Sequence, residues 1–390
     1  MIYSLMELKF KIDQKKVFKV FSGNSGLSPF HPFYCNKKTI LRNCGGRLYA
    51  HYNGEDINQT YWALRKSAII CDTPERPLEI TGPEVIPFLD KIFPRQISKL
   101  KIGRGMYVTA LTHEGNTFMD GILFRLSEVC FWFVQPDGDM HTWLLAHKQN
   151  YQIKINEPNS RVLQIQGPNS YKILNQLTEG EIDSKFSYFS AGFFKINSQL
   201  VYISRTGWTG ELGYEIYTFC KKTNCEKLWS DILEVGKKYG LKISSMQAMN
   251  IRRIEAGILD CGSDFSIYDN PYEVGLGNFI DLKKKFFIGK DKLVNLPKHK
   301  LLFGFISNAI IPKGGFIMHD AKKRSVGIVT TGAYSPQFKS GIGYVKFSKK
   351  IEWEGKKFFV KNEENNFYEC EIKDLPFFDI SKNLPREILI

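Results

Sequence analysis

LEITGPEVIPFLDKIF, residues 78–93, and LQIQGPNSYKILNQL, residues 163–177, carry one phrase twice. Each opens with apolar and polar positions alternating, as a half-buried strand does. Each stops at a Gly-Pro turn and resumes with apolar residues at helical spacing. The match predicts a strand–turn–helix module used twice, an internal pseudo-repeat. Beyond the first copy, GRGMYVTALTHEGNTFMDGILFRLSEVCFWFVQP reads as three strands turning at His113–Asn116 and Ser127–Glu128, a hairpin meander. Beyond the second, VYISRTGWTGELGYEIYTF reads as a strand, a glycine-studded turn and a strand.

Helical text lies between and around these blocks. It runs through Ile57, Tyr61, Leu64 and Ala68 until Asp72–Pro77 breaks it, from Asp139 to about Asn150, through KLWSDILEVGKKYG with Gly240 as its closing residue, and over 246–258. From Leu301 the pattern changes to short strands broken by glycine: LLFGFI, GGFIMHD, SVGIVTTG, GIGYVKF, EGKKFFVKN and YECEIKD. Their even spacing predicts a small barrel or sandwich of about ninety residues. Residues 1–45 read as polar, irregular and basic. The expected organisation is an N-terminal extension (1–45), a central region (46–298) and a C-terminal β domain (299–390), of α+β class.

A chain of 390 residues exceeds the roughly 250–300 at which a single core stops growing. With 43% hydrophobic and 24% charged residues, it has the globular mix. No apolar run approaches the ~20 residues of a membrane-spanning helix, and MIYSLMELKFKIDQKK does not read as a signal peptide. Eight cysteines without a CxxC pair argue against a zinc site or a disulfide scaffold and for reduced, cytosolic thiols. Lys+Arg exceed Asp+Glu by 54 to 40. That excess favours anionic partners, but it is spread along the chain, and the densest cluster, Lys283–Lys285 with Lys290 and Lys292, carries no RNA-binding signature. Neither nucleic acid nor membrane is an expected partner. There is no P-loop, no Rossmann GxGxxG, no HExxH and no GxSxG. The seven histidines show no metal-ligand spacing, so neither a metal nor a covalent protein nucleophile is expected.

Three constellations could do chemistry. Asp120 begins the otherwise apolar strand DGILF, where a carboxylate faces either solvent or a polar cleft. In TGWTGELGYEIY the glycines permit positive φ or close backbone approach to a ligand. Glu215 and Tyr217 share one face of the following strand, and Trp208 sits at the turn tip. A carboxylate beside rings can hold a flat heterocycle with paired N–H donors; an exposed Glu on a glycine-rich hairpin fits the same text. In IRRIEAG, Arg252, Arg253 and Glu255 fall in helical text and read locally as a surface i,i+3 pair.

Taken in order, ALRKSAIICD, LEITGPE, LKIGRGMYVTALTHEGNTFMDGILF, LQIQGPNS, RTGWTGELGYEIY, IRRIEAGILDCG, NPYEVGLGNFIDL and FIGKDKL, then VGIVTTGAYSP and GIGYV, resemble the family of the glycine cleavage T-protein (aminomethyltransferase). The resemblance covers roughly residues 48–390. Its relatives include dimethylsulfoniopropionate demethylase, the folate domains of dimethylglycine and sarcosine enzymes, and aryl O-demethylases. It implies a three-domain cloverleaf, with two interleaved α+β folate-binding domains and a C-terminal β-barrel, and tetrahydrofolate as acceptor. Carried over residue by residue, the essential aspartate falls on Asp120 and the pterin-binding glutamate on Glu215. Aromatic pocket positions fall on Tyr107, Phe124 and Trp208, and the arginine of the family's LRLEAG falls on Arg253. Tyr217 joins the cofactor-binding set beside Glu215.

Departures from the family pattern are also visible. Met119 stands for a usual aspartate, CDTPERP for D-x-S-H-M, and Phe124 and Trp208 for usual tyrosines. Trp208, PRQISKLKIG and Tyr217 look most like dimethylsulfoniopropionate demethylase-like members. The expected activity is therefore methyl transfer from a small sulfonium, ammonium or ether donor to N5 of tetrahydrofolate. Aminomethyl transfer from a lipoyl carrier and a non-catalytic folate-binding assembly role are the alternatives. A flavin oxidase, if used, would be a separate partner chain.

Overall fold

A computed structural model describes residues 25–135, 139–219 and 222–388. The two Gly-Pro phrases sit at equivalent places in two different sheets. Strand Arg76–Thr81 leads into helix Val85–Ile92, and strand Val162–Gln166 into helix Ser170–Leu177. Both turns need glycine for one reason: at Gly82 (φ 138°) and Gly167 (φ 121°) a Cβ would lie 2.2 Å from the Gln152 carbonyl and 2.6 Å from the Ser67 carbonyl.

Each phrase is followed by an antiparallel meander whose last strand pairs back onto it. In the first sheet the order is Arg104–Leu111, Thr117–Arg125, Cys130–Gln135, Arg76–Thr81, Lys154–Asn156. In the second it is Ala191–Ile196, Gln199–Ser204, Gly213–Tyr217, Val162–Gln166, Ala68–Thr73, Leu241–Ile243. The halves exchange strands. Ala68–Thr73 precedes the first phrase but pairs with Val162–Gln166, while Lys154–Asn156 precedes the second but pairs with Arg76–Thr81.

The helical pattern through Ala68 stops early. Helix Ile57–Lys66, capped by Asp56 accepting from the Gln59 amide, gives way to the strand Ala68–Thr73. Every residue of that strand is buried, and a short apolar run does not reveal by its period whether it is a buried strand or a helix. The helix expected over 246–258 spans Met246–Glu255, and Gly240 lies beyond the cap of helix Cys225–Lys237. Strands Lys154–Asn156, Ala191–Ile196 and Leu241–Ile243 were not expected. Residues 25–45, expected to be irregular, hold helix His31–Tyr34 and strand Ile40–Cys44, with Phe30 and Tyr34 packed on Trp229. The rest of the basic N-terminal stretch lies outside the described residues.

Helices cover the outer face of each sheet, giving one core around Phe88, Leu89 and Leu144 and another around Ile173, Leu174 and Ile232. Between the sheets lie Phe124, Trp132, Tyr202 and Tyr217. All six expected C-terminal strands form, and they close into a barrel. The chain is of α+β class, with two strand-exchanging sheets and a closed barrel. Among the described residues no helix is long and apolar enough to cross a membrane.

Candidate functional site

Strand Thr117–Arg125 sorts its side chains by parity. Met119 and Leu123 enter the core under the helices; Ile122 and Phe124 face the second sheet. Asp120 shares the latter face, so it points into the junction rather than to open solvent. Tyr107, across the hairpin, donates from its hydroxyl to Asp120 Oδ2 at 2.8 Å. The Tyr107 ring rests 4.6 Å from that of Phe279. Behind it, Arg95 donates to the Tyr107 carbonyl at 2.8 Å. Lys284 straps this loop by donating to the carbonyls of Asp90, Phe93 and Arg95. At least this member of the basic cluster is therefore a structural tie.

Strand Gly213–Tyr217 carries Glu215 into the second sheet, where it is 6% exposed. An exposed glutamate is thereby ruled out. Its Oε2 accepts from Thr206 at 2.5 Å, Tyr217 at 2.7 Å and Ser204 at 3.2 Å, and its Oε1 from Gln164 Nε2 at 2.9 Å. Burial holds this carboxyl above the usual carboxylate range, and the Thr206, Tyr217 and Ser204 hydroxyls draw it back. Three hydroxyls on one oxygen fix the head group and leave Oε1 with one lone pair free. Tyr217 has no exposed surface; its hydroxyl orients Glu215 while its ring packs 6.0 Å from Phe124. Phe124 is equally buried and acts from behind the wall.

The glycines of the turn serve two purposes. Gly210 takes φ 66°. At Gly207 and Gly213, a Cβ would sit 2.2 Å from the Gln166 side-chain amide. The close approach is to Gln166, not to a ligand. Gln166 in turn donates to the Thr206 carbonyl and accepts from Thr209, which fixes both ends of the turn. Half-buried Trp208 lies at the tip with the Arg253 guanidinium 5.2 Å from its ring centre.

Arg253 is buried and heavily committed. It pairs with Asp264 and donates to Asn250 at 2.9 Å, the Ile258 carbonyl at 3.2 Å and Thr331 of the barrel at 3.1 Å. Its other ring neighbour is Tyr344, whose hydroxyl donates to the Ile254 carbonyl at 2.9 Å. The expected surface pair Arg252–Glu255 is buried on both sides, at 3.8 Å. Arg252 also pairs with Glu211 at 2.6 Å, and Tyr61 and Ser335 donate to Glu255. Helix Met246–Glu255 is thus the pin joining the second sheet to the barrel.

Trp208 and Arg253 meet where the second sheet joins the barrel, while Asp120 and Glu215 lie on facing strands of the first and second sheets. Sequence reasoning missed Tyr188, Glu75 and Gln164. The Tyr188 hydroxyl is pushed up to about 12 by burial, with Arg386 opposing and Glu215 adding. Exposed Arg386 and buried Glu215 are both within electrostatic reach of this hydroxyl. Gln164 Nε2 also donates to Glu75 Oε1 at 2.7 Å. Gln164 Oε1 and Glu75 Oε2 are shut from solvent and accept no hydrogen bond. Buried acceptors with no donor, beside the Glu215 carboxyl, suit a planar heterocycle with several N–H groups, as a pterin has. The His113 and His147 Nε2 atoms lie 3.1 Å apart, a pairing hidden by a separation of 34 positions along the chain. Among the described residues no group of three or more His, Cys, Asp or Glu is placed to hold a metal ion.

Residues 38–284 match the family model described as the GCVT N-terminal domain, and residues 300–379 match the glycine cleavage T-protein C-terminal barrel domain. The aminomethyltransferase of Caldanaerobacter subterraneus is 30% identical over 372 residues, covering 86% of this chain and 97% of that protein. That of Thermoanaerobacter pseudethanolicus is 32% identical over 340 residues, covering 80% and 90%. The crystal structure of glycine cleavage system aminomethyltransferase T from Bartonella henselae superposes with TM-score 0.79 at 20% identity, covering 91% of this chain and 98% of that one.

Proposed function

The chain belongs to the glycine cleavage T-protein family, and from that premise we propose that it is a tetrahydrofolate-dependent aminomethyltransferase. A one-carbon transferase acting with tetrahydrofolate is the common ground of the family. The relatives favour the aminomethyl donor over the methyl donor expected from the departures in sequence; special closeness to the dimethylsulfoniopropionate branch has no support among them. The geometry leans the same way. A sulfonium or ammonium donor held by rings beside Glu215 would need an open face of Trp208 or Tyr217. Tyr217 is fully enclosed, and Trp208 already faces the Arg253 cation.

The observation that carries the reading is the Glu215 cage. A carboxylate clamped by Thr206, Ser204, Tyr217 and Gln164 is built to receive N–H donors without reorganising. Tetrahydrofolate supplies the nucleophilic nitrogen that takes up the one-carbon unit. Asp120, aligned by the Tyr107 hydroxyl, holds a proton or offsets positive charge at that nitrogen. Trp208, backed by Arg253, gives a flat wall, and Arg386 is the cation for an acidic tail. The carbon leaves the carrier sulfur and its amine and bonds to N5 and N10 of tetrahydrofolate; the two N–H protons pass to the carrier thiolate and to the amine, which departs as ammonia, and the thiol donor proposed is a lipoyl carrier protein.

The test is mass spectrometry of the folate product with an aminomethyl-loaded lipoyl carrier and, separately, with methyl sulfonium and ammonium donors. Appearance of 5,10-methylenetetrahydrofolate with ammonia, only with the carrier, is the expected result. Appearance of 5-methyltetrahydrofolate with a small donor overturns the aminomethyl reading and restores the methyl one.

A further inference from the structure

The Glu215 cage contains a second acid that the transfer step does not use. Glu75 lies just past strand Ala68–Thr73, within CDTPERP, where the chain departs from the family's D-x-S-H-M. Gln164 spends both N–H bonds of its amide, one on Glu75 Oε1 at 2.7 Å and one on Glu215 Oε1 at 2.9 Å. Both bonds leave from the amide nitrogen, so that nitrogen faces the two acids and the amide oxygen faces away. That oxygen and Glu75 Oε2 are closed to solvent and accept nothing. With the free lone pair of Glu215 Oε1, Glu75 Oε2 gives a second acceptor position on the side of the Gln164 amide nitrogen.

A 2-amino-4-oxopyrimidine edge presents three N–H bonds in a row, one on the ring and two on the exocyclic amino group. Glu215 Oε1 has one place left for them. We propose that Glu75 Oε2 receives an N–H of the exocyclic amino group, making Glu75 a specificity determinant for amino-bearing pterins. This rests on the folate reading of the site. It gives a purpose to a like-charged neighbour that would otherwise only disturb Glu215: the shared amide and a shared donor-rich ligand satisfy both acids at once.

The experiment is calorimetric titration of the full-length protein with folic acid and with its 2-desamino-2-methyl analogue, for the native chain, Glu75→Gln and Glu215→Ala. The native chain is expected to prefer folic acid by roughly tenfold or more. Glu75→Gln should remove most of that preference by weakening folic acid and leaving the analogue unchanged. Equal weakening of both ligands means Glu75 only supports the pocket, and no change means an ordinary water fills the acceptors; either overturns the proposal. If Glu75→Gln does not fold, Glu75→Asp, which retracts the carboxylate, is judged by the same preference. A native chain that binds neither ligand overturns the folate reading itself. Folic acid binding lost in Glu215→Ala but unchanged in Glu75→Gln overturns only this inference.

Discussion

At the scale of the residue, the junction separates two acidic roles by environment. Asp120 is half-buried and accepts from the Tyr107 phenol; Glu215 is buried and accepts from four donors. Asp120→Asn keeps the shape and loses the proton-holding group, so folate binding should survive while turnover falls roughly 10²–10⁴-fold. Turnover near that of the native chain would remove Asp120 from its role. Glu215→Ala should abolish folate binding with the fold intact, seen as an unchanged circular dichroism spectrum beside a lost calorimetric signal.

Glu75 predicts a pH effect with a definite sign. Burial first, and then the Glu215 charge, push its carboxyl up to about 7, against the hydrogen bonds of Thr73 and Gln164. Arg47, the nearby cation on the opposite side, reaches only the Glu75 carbonyl. From about pH 4.5 to about pH 7 the folded chain keeps a proton that the unfolded chain has released. Stability from this group is therefore present below that window and lost as pH rises through it. The melting temperature of the ligand-free native chain, measured against Glu75→Gln, should fall between about pH 5 and about pH 7.5. A constant offset would show that Glu75 is not the titrating group.

At the scale of the element, the glycine-studded turn aims Glu215 by wrapping one buried amide. Gln166 is gripped by Gly207 and Gly213, and its ends are tied to Thr206 and Thr209. Gly213→Ala forces a methyl group into that amide and should cost about 1–3 kcal/mol in denaturant unfolding. In a Gln166→Ala background the same change should cost markedly less, because the obstruction is gone. Additive costs would place the strain elsewhere. The three-stranded meander and the strand–turn–helix phrases were legible because alternation, Gly-Pro and hairpin turns are local signals. The strand Ala68–Thr73 was not, since an all-buried strand loses the alternation that marks it. Leu241–Ile243 and Lys154–Asn156 are three residues each and become strands only by pairing with a neighbour.

At the scale of the whole molecule, the last residues close the assembly. The Phe377 amide donates to the Glu255 carbonyl, and Phe378 lies under the Arg252 and Arg65 guanidinium groups at 4.3 and 4.8 Å. Further on, Arg205 donates to the carbonyls of Pro385 and Arg386. Deleting residues 375–390 should uncover these buried arginines, costing about 1–3 kcal/mol for each donor left unmatched, and should weaken folate binding by removing Arg386. An unchanged melting temperature would show that the tail is not a structural strap.

By itself the sequence determined the first sheet's three-stranded meander, the two equivalent phrases, the six barrel strands and the order of motifs that marks the family. Those are written in neighbouring residues, whose spacing along the chain is also their spacing on a face. Only the tertiary structure decided that each half lends a strand to the other, that Arg253 backs Trp208 while bound to Asp264, and that Tyr217 reaches the site through its hydroxyl alone. It alone placed Glu75 beside Glu215, through an amide 89 positions away in the chain. The charge and hydrogen-bond state of a buried acid depends on what surrounds it in space, and no local pattern carries that information.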